Sequence, residues 1–406
     1  MRARVSAQSE SKGLPRPVRL LGWVSLLTDA ATEAVYPLLP VFITQVLGGP
    51  PVALGIVEGA ADATSSILKV VAGRWSDRAG VRKPIVLIGY SLSSLVRPFV
   101  ALATSWAHVF AIRVTDRVGK GLRSAPRDAM LATLAPPGER GRVFGYHWAM
   151  DHAGAAVGPL LATIFLYFSP DNYRLLFGLT IIPGLLAVLT LLRVPEATET
   201  KPVEPVERVE PVERLPSGLK KYFFISSIFA LGNSSDAFLL LQLSQAGVPL
   251  IGLTMLWSAQ HAIKALITMR AGMLSDRVGR RTLIISGWMV YAIVYFGFAF
   301  SASMYALIGW FMIYSIYTAA VEGTEKALVA DLTPASLHAT AFGWQAAVQG
   351  LGALAAGIVF GLLWQYFGAP VAFMTGAALA LVAAVLLGSM PLTAASSTEE
   401  SRWRRR

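Results

Sequence analysis

The chain carries the stretch Gly73-Arg74-Trp75-Ser76-Asp77-Arg78-Ala79-Gly80-Val81-Arg82-Lys83, which recurs 199 residues later as Gly272-Met273-Leu274-Ser275-Asp276-Arg277-Val278-Gly279-Arg280-Arg281. Each copy is a short basic segment between two long apolar runs. A second match, at an offset of 198, pairs Phe144-Gly145-Tyr146 with Phe342-Gly343-Trp344. Two matches at nearly one offset predict that the chain consists of two copies of one unit.

Composition predicts that most of this unit lies in a lipid bilayer. Hydrophobic residues make up 54% of the chain and charged residues only 15%, which is far from the balance of a soluble domain. A spanning helix needs roughly 20 apolar residues. Twelve runs of suitable length occur, at 18–46, 51–75, 84–104, 106–124, 140–168, 173–193, 219–245, 248–273, 282–301, 303–323, 338–366 and 369–392.

We therefore expect an all-α membrane protein with twelve transmembrane helices in two pseudo-symmetric six-helix bundles. The predicted organisation is an N-terminal segment at 1–17, a first bundle at 18–193, a linker at 194–218, a second bundle at 219–392 and a basic tail at 393–406. The linker repeats a Pro-Val-Glu unit. Repeated proline blocks both helix and sheet, so an extended tether is expected there.

The distribution of Lys and Arg predicts the orientation. The turns at 47–50, 105, 246–247, 302 and 367–368 contain neither residue, whereas the connections on the opposite side and both termini are rich in them. Because basic residues near helix ends stay on the cytoplasmic side, both termini should be cytoplasmic, in a cell membrane of bacterial type.

The net charge of +11 is explained by contact with anionic lipid headgroups, so no nucleic-acid partner is expected. We expect a monomer. The chain has no Cys, which excludes disulfides and thiolate metal sites.

The repeated basic segment resembles the signature loop of the major facilitator superfamily. In that family the loop joins helices two and three, and a weaker copy joins helices eight and nine. Arg113 with Asp116 is similar to the arginine segment of the family's fourth helix, which is linked to proton coupling. The resemblance covers essentially the whole chain and implies a secondary transporter.

Helix five adds a second resemblance. Gly145, Gly154, Gly158 and Pro159 keep the spacing of the family's antiporter motif, which is associated with exporters. Independently of the family, the glycines should form a small-residue face for close helix packing, and Pro159 should loosen the helix locally.

The basic segments are predicted to form a gate at the cytoplasmic helix ends. Carboxylates beside several Arg side chains can make charge-assisted hydrogen bonds that form and break as the bundles separate. The alternative is that the basic residues only enforce topology. Gly80 and Gly279 should supply turns with positive φ. The predicted gate residues are Gly73, Asp77, Arg78, Gly80, Arg82, Lys83, Asp276 and Arg277.

Ionisable residues inside the predicted spans are the candidates for function. A charge at the bilayer centre costs at least about 2.5 to 3.5 kcal/mol, so it is kept only in a cavity or in a pair. Asp29 and Asp62 are the leading proton carriers, because a carboxylate in such a cavity can exchange protons with solvent. The alternative is permanent neutralisation by Lys69, Arg97 or Arg113. The predicted cavity residues are Asp29, Glu33, Glu58, Asp62, Lys69, Arg97, Arg113, Asp116, His147, Asp151, His152, Asp236, His261 and Lys264.

The leading functional hypothesis is a proton-coupled antiporter that exports small molecules by alternating access, with apolar cavity walls that favour amphipathic or hydrophobic substrates. The sequence has no Gly-x4-Gly-Lys-Ser/Thr phosphate loop, so an ion gradient is the expected energy source. Neither a catalytic motif nor a cofactor motif is recognised, and we expect no enzyme activity.

Three other hypotheses stay open. An exporter of a divalent metal such as nickel or iron would draw its ligands from Asp29, Glu33, Asp62, His147 and His152. Only five His and no Cys are present, and we assign no metal site. An importer of a nutrient or anion would receive it at Lys69, Arg97, Arg113 and Lys264. A receptor or scaffold that transports nothing would not need so many charges in its spans.

Overall fold

The structure, a computed structural model, describes residues 13–79, 81–135, 140–196, 215–333 and 338–390. Within these ranges the chain forms twelve helical segments and no strand. They are α1 (Arg16–Val46), α2 (Pro51–Ala79), α3 (Lys83–Leu102), α4 (Trp106–Leu134), α5 (Arg140–Phe168), α6 (Tyr173–Leu192), α7 (Ser217–Gln245), α8 (Leu250–Val278), α9 (Arg280–Phe300), α10 (Met304–Asp331), α11 (His338–Phe367) and α12 (Ala369–Ser389). Most of the predicted N-terminal segment and linker, and the predicted tail, lie outside the described residues.

Ten of these segments are long and apolar enough to cross a membrane by length and composition. The other two, α2 and α4, have 29 residues each but carry more charge. Large apolar side chains cover the outer surface, among them Phe168 at 80% exposure and Tyr305 at 78%. Such exposure suits a surface that faces lipid. The predicted all-α membrane fold is confirmed.

Several segments are interrupted. α1 consists of an α-helix Arg16–Glu33, a 3-10 turn Tyr36–Leu38, a helical turn Leu39–Val41 and a π-helical turn Phe42–Val46. α3 consists of an α-helix Lys83–Val96 and a 3-10 helix Arg97–Leu102. α6 is divided into Tyr173–Leu179 and Ile181–Leu192, and α7 is divided into Ser217–Gly232 and Asp236–Gln245. Pro37 and Pro40 lack the N–H that would continue α1. The breaks in α1 and α7 occur at equivalent places in the repeat.

Four helices extend beyond their predicted ends. α2, α4, α8 and α10 continue to residues 79, 134, 278 and 331, against predicted ends at 75, 124, 273 and 323. The predictions ended where the apolar run ended. A helix satisfies its own backbone hydrogen bonds, so it continues through charged residues once it leaves the hydrocarbon.

The connections divide the bundle into two ends. We call the end of the bundle where α2, α4, α6, α8 and α10 finish the basic end, and the end with turns 47–50, 103–105, 169–172, 246–249, 301–303 and 368 the apolar end. At the basic end Arg82 donates to Thr133 Oγ1 at 2.8 Å, and Arg280 donates to Asp331 Oδ2 at 3.2 Å. These two contacts are related by the offset of 198, so the repeat extends to tertiary contacts.

We call α1–α6 the N half and α7–α12 the C half. The halves meet along α2 with α11 and along α5 with α8. At the first of these contacts the backbones nearly touch, since a Cβ on Gly55 would lie 1.9 Å from the carbonyl oxygen of Gly357. Small residues permit this approach. The predicted positive φ is confirmed at Gly279, where φ is 90°; Gly80 lies outside the described residues.

Candidate functional site

Two buried ion pairs hold the N half together. Arg113 donates to both carboxylate oxygens of Glu58, at 2.7 to 3.0 Å. Arg97 donates to Asp116 Oδ1 at 2.9 Å. All four side chains are buried. A buried charge whose partner is lost is strongly destabilising, so these groups are held by each other.

A second layer of polar contacts surrounds Asp116. Arg123 donates to Ser93 Oγ at 2.6 Å, and Ser93 donates to the carbonyl oxygen of Asp116 at 2.9 Å. The Arg123 guanidinium also lies 4.6 Å from the centre of the Tyr90 ring, which is a cation–π distance. Both groups that Arg123 contacts here, the Ser93 hydroxyl and the Tyr90 ring, are neutral.

The first cavity lies between the two halves and has a volume of about 450 Å³. The N half contributes Asp62, Lys69 and Lys120 to its wall, and the C half contributes Asp236, Lys264 and Glu325. Aromatic and hydroxyl groups complete the lining, including Tyr36, Ser226, Phe229, Tyr314 and Tyr317. The wall therefore combines charges of both signs, as the predicted cavity residues indicated, with the apolar side chains of Phe229, Ala230 and Val321.

The second cavity lies towards the basic end and has a volume of about 320 Å³. Its charged lining consists of Asp29, Lys69, Lys120, Arg123, Arg127, Asp128, Asp151 and Lys326. The two cavities share Lys69 and Lys120, so they adjoin. Five of these residues, Lys120, Arg123, Arg127, Asp128 and Lys326, were not predicted to line a cavity. The charged residues at 113, 116, 120, 123 and 127 are nevertheless spaced as on one helix face.

Asp29 and Asp62 stand apart from the other carboxylates. Neither makes an ion pair within 4.0 Å or a side-chain hydrogen bond in the part of the chain that the structure describes. Arg97 and Arg113, which sequence offered as their neutralising partners, are engaged by Asp116 and Glu58. Glu58, Arg97, Arg113 and Asp116 do not line these two cavities.

The remaining predicted carboxylates have neutral or His partners. Tyr314 donates to Asp236 at 2.6 Å. Trp257 donates to Glu33 at 2.8 Å, and Nε2 of His261 lies 3.9 Å from the same carboxylate oxygen. The two contacts of Glu33 join α1 of the N half to α8 of the C half. Glu33 and His261 do not line these two cavities.

Asp151 is held at the wall of the second cavity. It accepts a hydrogen bond from Ser25, and its Oδ1 lies 3.3 Å from Nδ1 of His147. His147 is buried, and neither it nor His152 lines these two cavities. No group of three or more metal-binding side chains forms among the described residues, so the ligands proposed for a metal exporter are not brought together there.

Side chains of the two halves close the apolar end. The hydroxyl oxygens of Tyr36 and Ser235 lie 3.2 Å apart, and Gln45 donates to Ser244 Oγ at 3.0 Å. Farther along the interface, the hydroxyl oxygens of Thr163 in α5 and Thr254 in α8 lie 2.6 Å apart. The cavities therefore lie between this closed end and the basic end.

The predicted gate residues that the structure describes make contacts inside their own half. Arg82 and Lys83 donate their backbone N–H groups to Glu196, at 3.2 and 3.1 Å, and the Lys83 ammonium donates to the carbonyl oxygen of Leu192. Arg277 is exposed, and Gly73 packs near Ala125 of α4. The side chains of Asp77, Arg78 and Asp276 lie outside the described residues.

The glycine face of α5 packs against α1. A Cβ on Gly154 would lie 2.4 Å from the carbonyl oxygen of Leu26, and a Cβ on Gly158 would lie 2.3 Å from that of Ala30. A Cβ on Gly145 would meet nothing within 4 Å. α5 is continuous through Pro159, so the proline does not break it.

The chain is similar to known membrane transporters along most of its length. The family profile described as Major Facilitator Superfamily matches the chain over residues 21–260 and 222–405. An uncharacterised MFS-type transporter of Methanocaldococcus jannaschii is 33% identical over 380 residues, which cover 92% of this chain and 94% of that protein. Multidrug resistance protein MdtH of Photorhabdus laumondii is 30% identical over 36% of each chain.

Solved structures share the fold. A POT family transporter in complex with 5-aminolevulinic acid is similar with a TM-score of 0.78 and 13% identity, over 94% of this chain and 97% of that one. The nucleoside transporter NupG is similar with a TM-score of 0.74 and 12% identity, over 92% of this chain and 99% of that one. At such identities the likeness concerns the fold alone.

Proposed function

The chain belongs to the Major Facilitator Superfamily, and from that premise we propose that it is a proton-coupled antiporter that exports a small molecule across the cell membrane. Family membership assigns it to membrane transport; the coupling ion and the direction are our proposal. The observation that carries it is the position of Asp29 and Asp62, two carboxylates in cavity walls without an ion-pair partner among the described residues.

The contrast with the paired carboxylates is the reason to assign proton exchange to these two. Glu58 and Asp116 accept charge-assisted hydrogen bonds from Arg113 and Arg97, so each has a fixed cationic partner. Asp29 and Asp62 have no such contact, and each faces a cavity through which a proton can arrive. Access to a cavity and the lack of a fixed cationic partner both favour uptake and release of a proton.

Alternating access supplies the transport step. We propose that the bundles 18–193 and 219–392 rock about the two cavities, and that the basic end faces the cytoplasm because of its Lys and Arg content. With the apolar end closed by the Tyr36–Ser235 and Gln45–Ser244 contacts, this conformation would load substrate from the cytoplasm. The predicted cytoplasmic gate, which includes Asp77 and Asp276, is part of the same proposal.

Two features support export over uptake. The spacing of Gly145, Gly154, Gly158 and Pro159 in α5 resembles the antiporter motif, which is associated with exporters. Proteins named multidrug resistance protein MdtH match about a third of the chain, and we propose that export is the way in which a protein of this fold would give resistance.

One observation favours a second candidate, the uptake of an anion together with protons. Three lysines, Lys69, Lys120 and Lys326, line the second cavity without an ion-pair partner in the described part of the chain. An anion at these lysines would favour the protonated form of Asp29 in the same cavity, because like charges repel. Bound together, an anion and a proton would move in one direction.

Growth of an efflux-deficient bacterial host tests the proposal. The host expresses wild type, Asp29→Asn or Asp171→Asn and is exposed to a panel of toxic organic compounds. Asp171 is exposed at the apolar end with φ of 61°, a conformation that Asn adopts readily, so it controls for loss of one carboxylate. We expect protection by wild type and Asp171→Asn and none by Asp29→Asn, at equal protein level.

Other outcomes reject parts of the proposal. Equal protection by all three proteins would remove Asp29 as the proton carrier. Greater sensitivity of the wild-type cells to a toxic anion would indicate uptake and favour the second candidate.

A further inference from the structure

We propose that the second cavity binds an anionic group of the substrate, a carboxylate, phosphate or sulfonate, between Lys69, Lys120 and Lys326. The transported molecule would then be an organic anion or a molecule with an anionic end. The inference rests on the proposed transport function but not on its direction.

The lysines of this cavity differ from its arginines in their contacts. Arg123 is engaged by Ser93 and the Tyr90 ring, and Arg127 donates to Asp128 at 2.8 Å. Lys69, Lys120 and Lys326 make neither an ion pair nor a side-chain hydrogen bond within the described ranges. Their ammonium groups are therefore available to a ligand.

The acidic residues of the wall do not balance these lysines. Asp128 forms an ion pair with Arg127. Asp151 accepts a hydrogen bond from Ser25 and lies beside His147. Within this wall Asp29 is the carboxylate left to offset three ammonium groups, and Asp62 of the adjoining first cavity adds one more negative charge beside Lys69 and Lys120. The cavity thus keeps a positive charge whether Asp29 is protonated or not, and such a charge in a low-dielectric wall attracts and concentrates anions.

The three lysines come from both halves of the molecule. Lys69 in α2 and Lys120 in α4 belong to the N half, and Lys326 in α10 belongs to the C half. Without a ligand, like charges across the cavity repel and hold the basic end apart. An anion between them reverses the sign of that interaction, so the bound substrate would itself draw the two halves together.

The wall also offers groups that suit the rest of an organic anion. Trp148, which is 57% exposed, contributes an indole. The adjoining first cavity supplies Asp62 and Asp236 as well as aromatic side chains. A molecule held by its anionic end at the lysines could extend its body into that space.

The absence of Cys from the natural chain permits a direct test of the charge in the cavity. Ser124 lines the second cavity, and Ser303 is exposed at the apolar end. Each is replaced separately by Cys in the protein reconstituted in lipid vesicles. The thiol is then labelled with an anionic reagent, sulfonatoethyl methanethiosulfonate, or a cationic one, trimethylammonioethyl methanethiosulfonate. The ratio of the two rates cancels the intrinsic reactivity of the thiol.

We expect the anionic reagent to be favoured about tenfold more at Ser124→Cys than at Ser303→Cys, as expected for local potentials of a few kT. Adding Lys120→Gln with Lys326→Gln should remove most of this preference. Adding Lys221→Gln should leave it unchanged, because Lys221 is exposed and does not line these two cavities.

Three results would overturn the proposal: an equal ratio at both positions, a preference for the cationic reagent, or no labelling of the cavity thiol by either reagent. If Ser124→Cys does not fold, Ala125→Cys reports on the same cavity, because Ala125 also lines it and is half-buried. Labelling needs no transport. A preserved anion preference with no flux of any substrate would therefore reject the proposed function alone, and flux without the preference would reject this inference alone.

Discussion

Tyr36 and Ser235 are separated by 199 residues, and their hydroxyl oxygens lie 3.2 Å apart. Gln45 and Ser244 are separated by the same 199 residues and are joined by a hydrogen bond of 3.0 Å. This is the offset at which the basic segment recurs. Equivalent residues of the two halves therefore meet at the pseudo-twofold axis and close the apolar end, and these contacts must separate when that end opens.

A disulfide across the apolar half of the interface should stop transport. The hydroxyl oxygens of Thr163 and Thr254 lie 2.6 Å apart, so cysteines at both positions come close enough to form a disulfide. Oxidation of Thr163→Cys/Thr254→Cys would join α5 to α8 and prevent the apolar end from opening. We expect substrate flux in vesicles to fall to background after oxidation and to return after reduction.

Each single cysteine variant, oxidised in the same way, controls for the substitution and the oxidant. Undiminished flux through the cross-linked protein would show that α5 and α8 do not separate during transport.

Loss of either partner of the Arg113–Glu58 pair should destabilise the fold. Both side chains are buried and joined by three hydrogen bonds of 2.7 to 3.0 Å. Removal of one partner leaves a buried charge unpaired, which costs about 3–5 kcal/mol. We expect Glu58→Leu and Arg113→Leu each to lower the unfolding midpoint in detergent, and the double variant to be more stable than Arg113→Leu.

This double-mutant cycle separates a structural role from a substrate site. Additive losses in the cycle would mean that the pair is not coupled. In that case Arg113 would again be a candidate to receive an anion.

Alanine substitutions at three glycines of α5 should have different effects on folding and transport. A Cβ at Gly154 or Gly158 would press on the backbone of α1 at 2.4 or 2.3 Å, whereas one at Gly145 would have free space. We therefore expect Gly154→Ala and Gly158→Ala to reduce the yield of monodisperse protein in size-exclusion chromatography and to slow transport. Gly145→Ala should behave as wild type. Comparable losses at all three positions would refute the packing role.

The fold could be predicted because its signals are long and repeated. Twelve apolar runs and a duplicated basic segment specify the helices and the two-part architecture, and both depend only on residue type along the chain. The helix ends were harder to predict. α4 continues ten residues beyond its apolar run, to Leu134, since a charged helix is stable once it is outside the hydrocarbon.

The site could be predicted only in part. Asp29, Asp62 and Lys69 line cavities as their positions in apolar runs indicated. The sequence does not show that Arg113 forms an ion pair with Glu58, which lies 55 positions away. Two helices must pack before this pair can form. Lys120 was not assigned to a cavity, because it lies close to the predicted end of its span at residue 124.

The measurement that tests the central claim most directly is substrate-driven proton movement across vesicle membranes that contain wild type or a carboxylate variant. Wild type, Asp29→Asn, Asp62→Asn and Asp171→Asn are reconstituted in vesicles that contain a pH-sensitive dye, with a substrate found in the growth panel. We predict that substrate addition moves protons against the substrate flux in wild type and Asp171→Asn. Asp29→Asn or Asp62→Asn should still exchange labelled for unlabelled substrate but move no protons. Proton movement at the wild-type ratio in both of these variants would contradict the account.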